Sequence, residues 1–251
     1  MSEHRHHSSS EPILHAQALE HDYGSISVLE NVTLPISRGA VTGLIGPNGS
    51  GKTTLLRVLA GLLEPTAGTV TYNGEETARR IGYLPQQPAF RPGFTVAETL
   101  SFYAALVGED KSTAMDRLEQ VGLSDARRRP VEALSGGMTR LVGIAQATIG
   151  DPPVIVLDEP ASGLDPGMSS HVFDVATELA GAGTAVILSS HDLELVDQHA
   201  DEVVVLDDGS IATRGRPAAI RQSLGVDTVR GVYEASISGE TTTVRVQGVS
   251  S

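Results

Sequence analysis

One eight-residue stretch constrains the fold of this chain more than any other. Gly46–Thr53 reads GPNGSGKT and fits the pattern G-x-x-x-x-G-K-[ST], whose backbone N–H groups surround a phosphate. It follows the short apolar run Ala40–Ile45 and leads into Thr53–Leu63, where leucines recur at helical spacing. A strand, loop and helix in this order are what a working phosphate loop requires. The sequence therefore predicts a phosphate-binding α/β fold.

The residue types of this loop indicate a role for each part of it. Its glycines allow the backbone to bend so that N–H groups converge on phosphate oxygens, next to the positive end of a helix. Lys52 places a charge on the β- and γ-phosphates, and the Thr53 hydroxyl is a magnesium ligand. The expected nucleotide contacts in this loop are Gly46, Pro47, Asn48, Gly49, Ser50, Gly51, Lys52, Thr53 and Thr54.

Polar residues follow two apolar runs that have the composition of buried strands. The runs Val154–Leu157 and Ala185–Ser189 are continuous rather than alternating, as in parallel strands covered on both faces. Asp158 ends the first run, where a carboxylate can hold magnesium. Glu159 comes next and can orient or deprotonate an attacking water. His191 follows the second run, 33 positions after Asp158; alone it would be read as a packing histidine.

Between these elements the pattern is helical, from about residue 88 to 149. Thr95 is expected to cap a helix, with Glu98 as its capping-box partner. Strands and turns are expected in Pro12–Ser37, and the core domain spans 12–225. Residues 1–11 are polar, without the apolar core of a signal peptide, and are expected to form a disordered tail. Alternation in Val232–Ile237 and Thr243–Val246 predicts a small hairpin within 226–251.

A second glycine-containing motif, Leu134–Met138, precedes the acidic strand. Ser135 stands before a predicted helix, so its hydroxyl and the amides of Gly136 and Gly137 can form an anion site. A serine and two glycines also form an ordinary turn and helix cap. Within one chain, a second site for the same phosphate looks redundant.

In their order along the chain, these motifs resemble those of the ATP-binding subunit of an ABC transporter. The resemblance covers about residues 12 to 222. It implies a P-loop NTPase core with a mostly parallel sheet, an N-terminal antiparallel β subdomain and an inserted α-helical subdomain. It also implies ATP and Mg²⁺ as ligands, bound between two copies of the domain. Each nucleotide would be clamped by the phosphate loop of one copy and by Ser135–Gly137 of the other.

The resemblance also implies roles for single residues. Glu159 becomes the general base, and His191 contacts the γ-phosphate. Gln86, at the junction of the core and the helical subdomain, touches magnesium or the water, although Gln86 and Gln87 could also be solvent-facing. Tyr23 lies 29 positions before Lys52, where an aromatic ring stacks on adenine.

Other positions leave alternatives open or depart from the family pattern. Ser162–Asp165 resembles the loop that crosses the dimer interface, although Asp165 before Pro166 could be only a helix cap. The chain has Met138 where glutamine is commonest and Leu141 where arginine is frequent. These departures leave the Ser-Gly-Gly contacts intact.

Charge and composition bear on the partners. The chain has 31 acidic and 18 basic residues, a net charge of −13, and phosphate backbones repel such a surface, so no nucleic-acid partner is expected. The acid excess fits adaptation to high salt and fits an ordinary acidic protein equally. There is no cysteine, which excludes disulfides and thiolate chemistry. No run approaches the roughly 20 apolar residues of a membrane helix.

These observations favour an ATPase that energises a transporter whose membrane-spanning subunits are separate polytopic chains. It would act as a homodimer or with a paired ATPase subunit, peripherally at the cytoplasmic face of the cell membrane. Analogy favours an export-type system. The alternatives are a non-transport ATPase of the same class, such as an iron–sulfur assembly ATPase, and a scaffold that binds nucleotide without turnover. Intact Glu159 and His191 argue against the scaffold.

Overall fold

The computed structural model describes residues 11–237. Two predictions fall wholly or almost wholly on the other residues. The tail predicted for 1–11 lies outside the described residues except for Glu11, and the second hairpin arm, Thr243–Val246, lies outside them entirely.

A six-stranded sheet forms the centre of the molecule, in the order β5-β6-β7-β3-β8-β9. The first five strands in this order run parallel, and β9 pairs antiparallel with β8. The strands are β3 (Val41–Ile45), β5 (Ile81–Leu84), β6 (Val154–Leu157), β7 (Ala185–Ser189), β8 (Glu202–Asp207) and β9 (Ser210–Gly215). The continuous apolar runs are therefore strands covered on both faces, as predicted.

Each central strand sends alternate side chains to two separate cores. Ile155 and Leu157 of β6 face one core, which includes the helical subdomain, while Val154 and Val156 face the other. Successive strand residues point to opposite faces, so a four-residue apolar strand serves both cores at once. This double burial fixes the strand ends, where the polar residues stand.

The second core lies between the central sheet and a three-stranded antiparallel sheet, β2-β1-β4. Its strands are β1 (Leu14–Tyr23), β2 (Ile26–Ile36) and β4 (Ala67–Tyr72). Helix α1 (Lys52–Leu59) supplies Leu55, Leu56 and Leu59 to the same core. This packing fixes α1, and therefore the loop that precedes it.

The inserted subdomain contains helices α2 (Val96–Leu106), α3 (Lys111–Gln120) and α4 (Gly136–Thr148). Two 3₁₀ turns, Ser124–Ala126 and Val131–Ala133, connect α3 to α4. The predicted capping box is present at the start of α2. The backbone N–H of Glu98 donates to Thr95 Oγ1 over 3.2 Å, and that of Thr95 donates to Glu98 Oε2 over 2.8 Å.

The remaining helices are α5 (Pro166–Gly181), α6 (Leu193–His199), α7 (Pro217–Leu224) and α8 (Val229–Ser236). The predicted strand over Val232–Ile237 is wrong, because Val232 to Ser236 belong to α8. Val229 and Val232 are three residues apart and both are buried, which is the spacing of one helix face. The Thr228 hydroxyl caps the helix by accepting from the N–H of Gly231 over 3.1 Å.

The observed architecture has the predicted class: a mostly parallel α/β core, an N-terminal antiparallel β subdomain and an inserted helical subdomain. Within residues 11–237, no helix is both long and apolar enough to cross a bilayer.

Candidate functional site

The phosphate loop lies between β3 and α1 and borders a cavity of about 340 Å³. Gly49 and Gly51 have φ values of 85° and 99°, in the left-handed region that glycine adopts without strain. A Cβ on Gly46 would lie 2.1 Å from the carbonyl oxygen of Leu206 on β8. The cavity is lined by Val28, Asn48, Gly49, Gly51, Lys52, Thr53, Thr54, Gln86, Glu159 and His191.

Lys52 folds back onto its own loop. Its ammonium donates to the carbonyl oxygens of Gly46 at 2.8 Å and Pro47 at 2.9 Å. Burial lowers the pKa of this ammonium, and the charges of Glu159 and Asp158 oppose that change. The side chain is therefore a buried cation that stays close to where the phosphates of a nucleotide would bind.

Asp158 stands at the end of β6 and is buried. Its Oδ1 accepts from the Ser189 hydroxyl at 2.8 Å and from the Thr53 hydroxyl at 3.2 Å. The side chain thus joins the ends of two neighbouring parallel strands to the first turn of α1. Ser189 was not assigned a role from the sequence. Its position at the end of a buried strand, next to a strand that ends in an acidic residue, could have indicated a hydrogen bond to that residue.

Glu159 follows, and its carboxylate borders the cavity. His191 Nε2 lies 3.0 Å from Glu159 Oε1, a close contact whose geometry falls outside that of a hydrogen bond. Burial raises the pKa of the Glu159 carboxyl and Asp158 adds to the rise, whereas His191, Lys52 and Arg140 oppose it. A carboxylate with a raised pKa beside the phosphate loop suits a general base.

The backbone of Glu159 has φ +49°, which is uncommon for a residue with a side chain and costs about 1–3 kcal/mol. Two side chains hold this conformation, in addition to the hydrogen bond from the N–H of Ser162 to the carbonyl oxygen of Glu159 at 3.2 Å. The N–H of Glu159 donates to Ser189 Oγ at 2.8 Å, and Arg140 Nη1 donates to the carbonyl oxygen of Glu159 at 3.0 Å. Arg140 was not predicted from the sequence, because no motif marks it and the departure from the family pattern lies at the neighbouring Leu141.

The two remaining residues that were predicted to contact the nucleotide or magnesium, Gln86 and Tyr23, lie in different places. Gln86 follows β5 and lines the cavity, together with Glu159 and His191. Tyr23 ends β1 with 48% of its surface exposed and is outside the lining of the cavity. Its ring packs edge-on against His21, with ring centroids 4.7 Å apart.

The second glycine motif lies elsewhere in the chain. Ser135 caps α4, and its hydroxyl accepts from the N–H of Met138 over 3.3 Å. None of Ser135, Gly136 and Gly137 lines the cavity, and nothing lies within 4 Å of a Cβ built on Gly136. The chain therefore does not join its two glycine motifs at one site.

Asp165 caps α5, because its side chain accepts a hydrogen bond from the N–H of Met168 at 3.0 Å. Within this chain, Asp165 therefore makes the contact expected of a helix cap.

The residues expected to hold magnesium have suitable chemistry. Asp158 Oδ2 is buried without a hydrogen-bond partner, while Oδ1 lies beside the Thr53 hydroxyl. No cluster of three or more histidine, aspartate or glutamate residues within 11–237 could enclose a metal. One carboxylate and one hydroxyl match Mg²⁺, which takes few protein ligands and binds substrate phosphates as well.

Comparison with known proteins gives matches over most of the chain. The sequence model of one protein family, described as ABC transporter, matches residues 29–162. The Nod factor export ATP-binding protein I of Ralstonia nicotianae is 36% identical, over 88% of this chain and 72% of the relative. The lantibiotic transport ATP-binding protein SrtF of Streptococcus pyogenes is 34% identical, over 79% of this chain and 89% of the relative.

Among solved structures, one described as the ATP binding subunit of an ABC transporter superposes with a TM-score of 0.79. It is 29% identical to this chain, and the match covers 88% of this chain and 98% of the other.

Proposed function

The chain belongs to the ABC transporter family and is an ATP-binding ATPase of that family, and we propose that it energises export through separate membrane-spanning chains. One observation carries the proposal. The phosphate loop, Glu159 and His191 line one cavity of a single chain, while the second anion motif, Ser135–Gly137, lies outside that lining. A second copy is needed to bring both motifs to one nucleotide.

The phosphate loop binds ATP through its backbone amides and the positive end of α1. Lys52 turns from the carbonyl oxygens of Gly46 and Pro47 to the β- and γ-phosphates. Thr53, Asp158 and Gln86 would hold Mg²⁺, which neutralises charge on the phosphates when it is bound. Tyr23, half exposed at the end of β1, offers a ring face to adenine.

Hydrolysis requires a water in line with the γ-phosphorus. The carboxylate of Glu159 accepts a proton from this water while the oxygen of the water bonds to the γ-phosphorus. The bond between the γ-phosphorus and the β–γ bridging oxygen breaks, and ADP leaves with that oxygen. His191 lies beside Glu159, where its ring can donate to a γ-phosphate oxygen. Most of the catalysis is positioning and charge neutralisation.

In the proposed dimer, two copies face each other. The N-terminal end of α4 in each copy then lies next to the nucleotide that is bound to the phosphate loop of the other copy. The Ser135 hydroxyl already accepts a hydrogen bond from Met138 N–H, which leaves its hydrogen free to donate to phosphate. Gly136 is exposed, and nothing lies within 4 Å of a Cβ built on it, so a phosphate can approach this residue closely. Domain boundaries at 12–225, with a helical insertion at about 88–149, belong to the same proposal.

A docking surface for the membrane partner is present on the helical subdomain. Phe102 and Leu106 on α2 are more than half exposed, and Phe102 also lines a small apolar cavity of about 70 Å³. Arg91, stacked on Phe94, borders this cavity. We assign this face to a cytoplasmic helix of the transporter, so the chain acts at the cytoplasmic face of the membrane. Exposed aromatic side chains beside an arginine suit such an interface.

Export is the direction that one relative favours, since that protein is named for Nod factor export.

The test combines Glu159→Gln with capture from detergent-solubilised membranes in the presence of ATP. We expect the variant to bind ATP, lose hydrolysis by about 10²- to 10⁴-fold and accumulate as a dimer. Mass spectrometry should then identify a stoichiometric polytopic membrane protein. Phe102→Ser, on the docking face, is the matched control and should release that protein while ATP-dependent dimerisation persists. Recovery of soluble assembly factors instead would indicate a non-transport ATPase, and unchanged hydrolysis would remove Glu159 from the role of base.

A further inference from the structure

Arg140 connects three parts of the molecule that the proposed function uses separately. It lies on α4, the helix that Ser135 caps, and its guanidinium reaches the segment after β6. Nη1 donates to the carbonyl oxygen of Glu159 at 3.0 Å, and Nη2 donates to the carbonyl oxygen of Ser162 at 3.4 Å. One side chain thus bridges the helix of the second glycine motif, the base, and the loop Ser162–Asp165.

The two acceptors are backbone oxygens, so Arg140 fixes the course of the chain. Between them the segment turns sharply, and Glu159 adopts the positive φ described above. The planar fork of a guanidinium can hold two oxygens in a fixed relation, which a single ammonium cannot do. The segment from Glu159 to Ser162 is therefore held at both ends by α4.

Arg140 is partly buried and takes part in none of the ion pairs found within residues 11–237. Burial lowers its pKa, and the nearby charges of Glu159 and Asp158 oppose that change. The hydrogen bonds of this guanidinium go to two carbonyl groups of the segment after β6, so a movement of α4 relative to β6 would act on that segment through them.

We propose that Arg140 is a positioning residue that couples the partner-facing start of α4 to the orientation of Glu159. When Ser135–Gly137 engages the nucleotide of the second copy, a displacement of α4 is passed by the guanidinium to the backbone of Glu159. The base then reaches its working position only in the closed dimer. This inference rests on the proposed function, because it assumes that Glu159 is the base and that α4 meets a second copy.

The experiment measures ATP turnover and nucleotide binding for Arg140→Ala and Arg140→Lys. We expect kcat to fall by about tenfold to 10²-fold, as for a misplaced catalytic group, while KM and the Kd for ATP change less than about twofold. Millimolar guanidinium should restore part of the activity of Arg140→Ala. Arg140→Lys should retain some activity because its ammonium can reach one of the two carbonyl oxygens.

Arg117→Ala provides the matched control. Arg117 is another arginine of the helical subdomain; it bonds to Asp151, away from the cavity. Its replacement should lower the thermal midpoint without a loss of kcat that guanidinium restores. A normal kcat for Arg140→Ala would overturn the inference. A loss of kcat that added guanidinium does not restore, and that follows the fall in the thermal midpoint of the variants, would also overturn it.

Wild-type protein and Glu159→Gln are measured in the same series. If the wild type turns over ATP and Glu159→Gln does not, a normal kcat in Arg140→Ala counts against the coupling alone. If Glu159→Gln retains turnover, the proposed function has failed and the coupling with it.

Discussion

Two helices of this chain begin at glycine-containing turns, and their surroundings differ. Helix α1 starts at Lys52 with Gly51 in the left-handed region, without a side-chain cap, and its first turn borders the 340 Å³ cavity. Helix α4 starts at Gly136 with Ser135 as a regular cap and borders no part of that cavity. Both starts offer free N–H groups to an anion. At α1, a buried cation (Lys52) and two carboxylates at a strand end (Asp158 and Glu159) stand beside the helix start. In the described part of the chain, no such set of groups stands beside the start of α4, so it needs another molecule to form a nucleotide site.

Inactivating the two helix starts in separate copies tests whether they act on the same nucleotide from different chains. Lys52→Ala removes the cation at α1, and Ser135→Asp keeps a good cap at α4 but repels phosphate. Each variant alone should lose nearly all turnover. An equal mixture should recover about a quarter of the wild-type rate, because half the dimers are mixed and each of these has one intact site. Ser135→Thr, which keeps the hydroxyl, should stay active.

Turnover in that mixture is measured at protein concentrations above the dimer dissociation constant. If the mixture shows only the sum of the two single-variant rates, both motifs act within one chain. The start of α4 would then act without a second molecule.

A pair of glycine substitutions separates the two starts further. Gly46→Ala places a Cβ 2.1 Å from the Leu206 carbonyl oxygen, so we expect lower stability, by about 1–3 kcal/mol, and loss of ATP binding. Gly136→Ala meets nothing within 4 Å, so its thermal midpoint and ATP affinity should stay near wild type. Its defect should appear only in ATP-driven dimerisation, measured by light scattering. Full dimerisation and turnover in Gly136→Ala would argue against close approach of a partner there.

The smallest expected effect is on pH dependence. Because burial raises the pKa of Glu159, its carboxyl stays protonated, and inactive as a base, to a higher pH than an ordinary glutamate. At saturating ATP, kcat should therefore fall on the acid side at a pH above about 4.3. Ser135–Gly137 contains no titratable side chain, so dimerisation of Glu159→Gln should be flat over the same range. An acid limb of equal size in dimerisation would place the titrating group elsewhere.

The sequence was most informative where one residue pattern has one structural solution. The phosphate loop and the four-residue strand β6 fix their own surroundings, because the loop needs a strand and a helix and a continuous apolar run needs two covered faces. The capping box at Thr95 is similarly local. Gln86 was expected at the site from the resemblance alone, and it lines the cavity because β5 pairs directly with β6.

Contacts between distant segments were not predictable in this way. Arg140 bonds to backbone oxygens, which any residue type supplies, so no pattern at Glu159 or Ser162 announces it. The C-terminal strand was predicted wrongly because Tyr233, Ala235 and Ile237 alternate with Glu234 and Ser236 over so short a run. Burial of Val229 and Val232 in the first core decided for a helix, and that packing is tertiary.

The bonds of Lys52 to its own loop have a consequence for the energetics of nucleotide binding. The ammonium already donates to two carbonyl oxygens, those of Gly46 and Pro47. In the proposed mode of binding, arrival of a triphosphate is therefore an exchange, because the ammonium leaves two neutral acceptors for charged phosphate oxygens. The net affinity reflects the difference between these two sets of bonds. After product release, the lysine can return the loop to a receptive shape for the next cycle.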